Sequence, residues 1–361
     1  MKAATIAPSA PGLHTLHGNR ALLPNLDGIR ALACLLVVLS HMPLPLTFVT
    51  LGETGVGVFF VLSGFLMSYL YAGAHWNWPA VGRYGISRFS RIAPIYWLVI
   101  TVCILISYAH PEEDFLLRIQ GGAAIARHYL FGGNVWIFWS IPLEVQYYFF
   151  FPLVWWAIAN RSRHTYAMPG LGLLGATLLV THGQWTGLML PSKLHFFLAG
   201  SLAGLLPRPT WKGGAESRIL CGLQIGAAAL LFLPLWIYQS KSELYAASAL
   251  GLSFATAVYL LSLPSAWSGK VLANAWARKI GQASFSIYLM HVLVFHYGMH
   301  WLGLQHAVYA PQWLLLGLAG IGLPLLASHF VEMPLQRGTR RWLQARLDRA
   351  TPHCESTRST A

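Results

Sequence analysis

Arg30 and His41 stand eleven positions apart inside one apolar stretch, LDGIRALACLLVVLSHMPLPL at residues 26–46. On a helix, eleven residues make about three turns, so both side chains leave nearly the same face, roughly 16 Å apart along the axis. Ionisable groups at membrane depth are costly and usually face a bundle interior or a wet cavity. The spacing therefore points to one polar seam running deep into a membrane protein. The plainer alternative is a snorkelling arginine near the membrane surface and a histidine satisfied by a neighbouring helix. Imidazole titrates near neutrality, so acid–base work is the chemistry that His41 offers.

Further polar positions interrupt apolar runs. In RYGISRFSRIAPIYW, residues 83–97, Arg88 and Arg91 fall one turn apart. Paired guanidinium groups suit a phosphorylated ligand, which they bind bidentately. They equally suit positive-inside anchors touching lipid phosphates. Tyr96 and Trp97 follow within the same helix as further candidate ligand contacts. In NVWIFWSIPLEVQYYFFFP, residues 134–152, Glu144 lies near mid-membrane with Ser140 one turn before it. Such a carboxylate needs a partner or a proton. It is expected either as the counter-ion of an arginine or as a base that tunes a histidine. In GQASFSIYLMHVLVFHYGMH, residues 281–300, His291 sits mid-span after Ser284, Ser286 and Tyr288. His296 and His300 have a spacing compatible with a metal, yet no carboxylate or cysteine lies near them, so no metal site is expected.

These residues need a scaffold, and composition names it. The chain has 361 residues, 56% hydrophobic and 10% charged. Soluble domains carry about a quarter charged residues. Long apolar runs fit helices and not the alternation of an outer-membrane barrel. The expected fold is an all-α polytopic integral membrane bundle of about ten transmembrane helices. The runs fall near 26–46, 53–72, 89–108, 135–158, 167–184, 192–207, 218–238, 243–262, 281–303 and 312–331. Residues 1–24 form a polar tail without a signal-peptide pattern, residues 25–335 the transmembrane domain, and residues 336–361 a basic tail suited to anionic lipid. With ten spans, most lysines and arginines share one side with both termini, which places the termini in the cytoplasm. The same bias accounts for the net charge of +13 without nucleic acid. Four cysteines (Cys34, Cys103, Cys221 and Cys354) are scattered, with no zinc spacing.

Six segments, LDGIRALACLLVVLSH, GVGVFFVLSGFLMSYL, RFSRIAPIYWL, WSIPLEVQYYFFFPL, SFSIYLMHVLV and SHFVEMPLQRGTRR, occur in this order. In order and spacing they resemble the membrane acyltransferase-3 family, which includes O-antigen and exopolysaccharide O-acetyltransferases. The resemblance runs from about residue 22 to 341. It implies that His41 is catalytic and paired with Arg30 in the family's arginine, ten residues, histidine signature. It implies that Arg88 and Arg91 contact the phosphates of coenzyme A. The Trp-Ser…Glu motif falls on Trp139, Ser140 and Glu144, and the late Ser-Tyr-His pattern on Ser284, Ser286, Tyr288 and His291. Many relatives carry an acidic residue where this chain has Gly57, and Glu53 is a doubtful substitute. Some relatives add an extracytoplasmic esterase-like domain, which this reading does not expect here.

The implied reaction moves an acyl group, most commonly acetyl, from cytoplasmic acyl-CoA to a hydroxyl of a surface or secreted glycan. Acetyl-CoA is then a donor substrate, with no permanently bound cofactor. The expected partners are the bilayer, a glycan or glycolipid acceptor and glycan-synthesis machinery, and the expected location is a bacterial inner membrane. His41 serves either as general base on the acceptor hydroxyl or as an acyl carrier. Lipid, peptidoglycan and macrolide acceptors stay open. A secondary transporter would also place ionisable groups at mid-membrane, but it usually shows repeated halves, and none is visible. An intramembrane serine protease would rest on Ser63-Gly64, a pair more often used for close helix packing.

Overall fold

A computed structural model describes residues 23–42, 50–111, 114–209, 215–303 and 311–350. Among these the chain is helical throughout, with no strand. The helices are α1 (Pro24–Ser40), α2 (Leu51–Tyr71), α3 (Trp78–Ala109), α4 (Gly122–Tyr129), α5 (Ser140–Ala159), α6 (Ala167–Val180), α7 (Leu194–Leu205) and α8 (Ala215–Phe232). They continue with α9 (Pro234–Ile237), α10 (Lys241–Ala246), α11 (Ser248–Ser262), α12 (Ala266–Val271), α13 (Ala275–Gln282), α14 (Ser284–Trp301), α15 (Gln312–Ala327) and α16 (Met333–Ala350). A 3₁₀ turn, Trp136–Trp139, leads into α5, and a π turn, Ser328–Glu332, joins α15 to α16.

Local sequence sets several of these boundaries. Pro24 opens α1 with a backbone already suited to a first turn. The Asn77 side chain caps α3 by accepting from the Ala80 amide at 2.8 Å. Asn274 caps α13 by accepting from the Trp276 and Ala277 amides. α1 ends at Ser40, where the His41 amide bonds back to the Val38 carbonyl. The expected first span, 26–46, is thus helical only to Ser40, and residues 43–46 lie outside the described residues.

Five stretches are long and apolar enough to cross a membrane: Leu51–Tyr71, Trp78–Ala109, Trp136–Ala159, Glu216–Ile237 and Gln312–Ala350. The expected count of ten is not reached on this criterion among the described residues. The other expected spans fall on shorter or more polar helices. At 1.5 Å per residue, the 12 residues of α7 extend about 18 Å, well short of the roughly 30 Å hydrocarbon core. α14 is long enough, but its three histidines dilute its apolar character.

Small residues let the central helices touch backbone to backbone. α7 carries Gly200 and Gly204 four apart, and α2 carries Gly64. A Cβ on Gly200 would stand 2.0 Å from the Val61 carbonyl oxygen, and one on Gly64 2.0 Å from the Phe197 carbonyl oxygen. This is the small-xxx-small contact that membrane helices use where lipid offers no hydrophobic drive to associate. α1 is fastened in a second way. Asn25, buried, donates to the carbonyls of Leu261 and Leu263 and to Ser268 Oγ at 3.0–3.1 Å. These bonds tie its first turn to the α11–α12 connection. Gly281 meets the Asp27 carbonyl so closely that a Cβ would fall 1.8 Å from its oxygen. The C-terminal α16 packs against α3, with Leu347 resting beside Gly82.

Gly200→Ala should therefore force α2 and α7 apart and cost about 1–3 kcal/mol, as overpacking does. Gly222→Ala on α8, with open space at its Cβ position, should be neutral or mildly stabilising. Thermal unfolding of the two purified variants against wild type would measure the contrast.

Candidate active site

Among the described residues, two cavities each collect part of the polar set. The first encloses about 690 Å³ of atom-free space, part of it open to solvent. Its wall holds three guanidinium groups, Arg30 from α1 and Arg88 and Arg91 from α3, against one lining carboxylate, Glu144 from α5. Arg30 pairs with Asp27 at 3.2 Å, one turn before it on α1. The Arg88 guanidinium lies 5.9 Å from the Tyr71 ring centre and 6.0 Å from that of Tyr148. Glu144 Oε1 accepts from Ser63 Oγ at 2.9 Å and from Tyr148 Oη at 2.5 Å. Ser140 and Ser284 complete the polar lining. Guanidinium groups beside apolar side chains are the chemistry that suits a phosphorylated molecule with an apolar arm.

The second cavity, of about 810 Å³ and also open, is lined by His41 with Glu53, Trp136, Trp139 and Lys241. His41 meets His291 here: His291 Nε2 stands 3.3 Å from His41 Nδ1, and the rings lie 5.0 Å apart. Backbone carbonyls fix both tautomers. A carbonyl only accepts, so His41 Nδ1, 2.8 Å from the Val37 oxygen, carries a proton. By the same reasoning His291 Nδ1, 3.0 Å from the Ile287 oxygen, carries one. His291 Nε2 is then an acceptor, and the His41 Nδ1–H is shared between it and Val37. The lone pair of His41 falls to Nε2, the arrangement a general base requires.

The two cavities are adjacent. Tyr288 and Val56 line both. The Tyr288 hydroxyl donates its proton to the Ile137 carbonyl at 2.7 Å, so Ser140 Oγ, at 2.8 Å, donates to Tyr288. These two bonds hold the ring of α14 against the 3₁₀ turn and the start of α5. Lys241 stands 3.9 Å over the Trp139 ring. Burial takes its amine below the ordinary lysine value, an effect the Glu53 carboxylate opposes.

The structure revises several expectations. Arg30 lies within α1 and His41 caps its end, and they open into different cavities, so they do not form one seam. Glu144 and Arg30 line the arginine cavity and are not among the residues that line the His41 cavity. His291 belongs with His41 and not with Glu144. Tyr96 and Trp97 do not line the arginine cavity. Tyr96 is fully buried with its ring stacked 5.4 Å from Phe131, and Trp97 donates to the Tyr129 carbonyl at 3.0 Å. Both bind α3 to the 122–139 segment.

Other residues escaped the sequence reading. Glu53, doubted as a stand-in for position 57, lines the His41 cavity, whereas a Cβ at Gly57 would face Phe254 and Phe196. The helical offset of four between 53 and 57 was the available signal. Trp136 and Lys241 gave none beyond their position near the ends of apolar runs. Glu332, inside the quoted HFVEMP segment, accepts from Ser286 at 2.7 Å and Ser328 at 2.6 Å, and so holds α14 to the π turn.

Residues 23–329 match the family described as the acyltransferase domain, and the chain belongs to that acyltransferase-3 family. It is 25% identical to the peptidoglycan O-acetyltransferase OatA of Listeria monocytogenes, over 77% of this chain and 50% of that protein. It is also 25% identical to the O-acetyltransferase OatA of Staphylococcus aureus strain NCTC 8325, over 87% of this chain and 57% of that one. A putative O-acetyltransferase, SACOL0978, of Staphylococcus aureus strain COL is 23% identical over the same shares. The chain thus spans between half and three fifths of the length of the curated relatives it matches. No solved structure matches it.

Removing the Tyr148 hydroxyl leaves Glu144 with Ser63 as its remaining hydroxyl donor in a confined site. Tyr148→Phe should cost about 1–3 kcal/mol of stability, readable as a lowered thermal midpoint. An unchanged midpoint would show that this bond does not hold α5 in place.

Proposed function

We propose that this protein is a membrane O-acetyltransferase that takes acetyl from acetyl-CoA on the cytoplasmic side and esterifies a glycan hydroxyl on the other. The observation that carries the reading is the fixed tautomer of His41, whose basic Nε2 belongs to a cavity one residue away from an arginine-lined one. Arg88, Arg91 and Arg30 bind the phosphates of the donor, and its pantetheine arm lies along the apolar wall towards Tyr288. The acceptor enters the His41 cavity.

In direct transfer, His41 Nε2 takes the acceptor hydroxyl proton as that oxygen bonds to the thioester carbonyl carbon. The C–S bond then breaks, and the thiolate leaves with the proton returned by the imidazolium, giving an acetyl ester and free CoA. In the covalent version, Nε2 itself bonds to the carbonyl carbon and expels the thiolate; the acceptor oxygen then bonds to that carbon as the C–N bond breaks, and the hydroxyl proton passes to the expelled thiolate, giving the same acetyl ester and free CoA. In both, His291 holds the ring in its productive tautomer. The positive-inside bias supports cytoplasmic termini in a bacterial inner membrane, with the basic α16 lying at the lipid surface. The relatives' names bring peptidoglycan to the front of the acceptors, ahead of exopolysaccharide and lipid-linked oligosaccharide.

Protein in liposomes with radiolabelled acetyl-CoA and a glycolipid or peptidoglycan-precursor extract tests this reading. His41→Ala should lower transfer by at least about 10²-fold at matched folded amounts. Equal turnover by wild type and variant would remove His41 from the chemistry, and solute flux without CoA would favour a transporter. His291→Ala should lower kcat while leaving the KM for acetyl-CoA nearly unchanged. Arg88→Ala and Arg91→Ala should do the reverse, each raising that KM about ten- to a hundredfold, the value of a charge-assisted hydrogen bond.

A further inference from the structure

Trp136 is built unlike its neighbours. Its φ of 46° lies in the left-handed region, where a large side chain is strained by about 1–3 kcal/mol. Packing does not account for that cost. Ile137 and Phe138 in the same turn are 4% and 0% exposed, whereas Trp136 is 48% exposed. The twist turns its indole into the wall of the His41 cavity, 6.1 Å from the imidazole centre and tilted 58° to it. Trp139, the other indole of that wall, has a face covered by Lys241. Trp136 is therefore the platform left open. Around it the charged side chains of the wall are one carboxylate, Glu53, and one amine, Lys241, of opposite sign, beside the hydroxyls of Ser40 and Tyr288.

Resting on the acetyl-transfer reading for its catalytic meaning, we propose that this cavity is a saccharide subsite. In it the Trp136 indole stacks on an uncharged pyranose ring and presents a ring hydroxyl to His41. The axial C–H bonds of a pyranose carry slight positive charge and meet the negative face of an indole at about 3.5–4.0 Å. Stacked there, the sugar edge lies towards the imidazole, and its remaining hydroxyls fall to Glu53 and Lys241. A charged ring would leave one of these two groups facing a like charge in a confined wall. The saccharide class is thus set by Trp136, and the absence of charge by the Glu53 and Lys241 pair.

The test is equilibrium binding to the full chain in lipid nanodiscs without acetyl-CoA, read by saturation-transfer NMR. The probes are cellotriose, which is neutral, and the matching β-1,4-linked glucuronate trimer. Cellotriose should bind, with ring protons receiving saturation, and the acidic trimer should bind at least about tenfold more weakly. Trp136→Ala should weaken cellotriose about tenfold, Trp136→Leu should do the same with bulk retained, and Trp136→Phe should stay near wild type. Equal binding by wild type and Trp136→Leu, equal binding of the two trimers, or no binding of cellotriose would each overturn the proposal. Because no donor is present, binding is read apart from chemistry. Intact cellotriose binding in a protein that transfers no acetyl would sink the transferase reading and leave the subsite standing.

Discussion

Two backbone carbonyls, those of Val37 and Ile287, take the Nδ1 protons of two histidines on different helices. Because each Nδ1–H is fixed in this way, His291 turns an acceptor towards His41, and His41 keeps its lone pair on the other nitrogen. Everything else in the site serves that arrangement. α1 must end at Ser40 for the His41 ring to sit at its tip. α14 must approach α1 closely enough for a 3.3 Å contact. The polar clips at Asn25 and the backbone contact at Gly281 set the inner end of α1, and the Glu332 bonds to Ser286 and Ser328 set the height of α14.

Arginines and histidine could have shared one polar channel, and the structure separates them. The three guanidiniums line one cavity and the imidazole the next, whose lining sets Lys241 against Glu53. An imidazole beside uncompensated cations would hold its lone pair even more firmly but would resist becoming the imidazolium that base catalysis requires. The partition by Tyr288 and Val56 therefore has an electrostatic meaning as well as a geometric one.

The all-helical character, the family and the chief polar positions were legible because each rests on local sequence: apolar runs, or short motifs around Arg30, His41, Arg88 and Arg91. What was not legible depends on pairs far apart in the chain. His41 and His291 are separated by 250 positions, and no periodicity links them. Glu144 reads as a partner for a histidine or an arginine, and finds hydroxyls of Ser63 and Tyr148 instead. Tyr96 and Trp97 carry the amphipathic chemistry of ligand contacts, yet their helix face turns to the 122–139 segment. Trp136 is one tryptophan among 15, and its distinction is a backbone angle that residue type does not reveal. Among the described residues, five stretches meet the length and hydropathy of a span, and the shortfall from ten has a related reason. Hydropathy reads apolar length, whereas α6 and α7 are cut short by the turns between them.

The glycines on α2 and α7 carry a mechanical consequence. With Gly64 and Gly200 bringing backbone against backbone, these two helices form a single stiff beam, and Val56 belongs to it. A passage between the cavities cannot be widened by parting that beam without breaking its closest contacts. The compliant side is the other one, where a single phenol ring is pinned by two hydrogen bonds, to Ile137 and Ser140. Of the two side chains that both cavities share, Tyr288 is therefore the one whose displacement would break two side-chain hydrogen bonds and no backbone contact between helices.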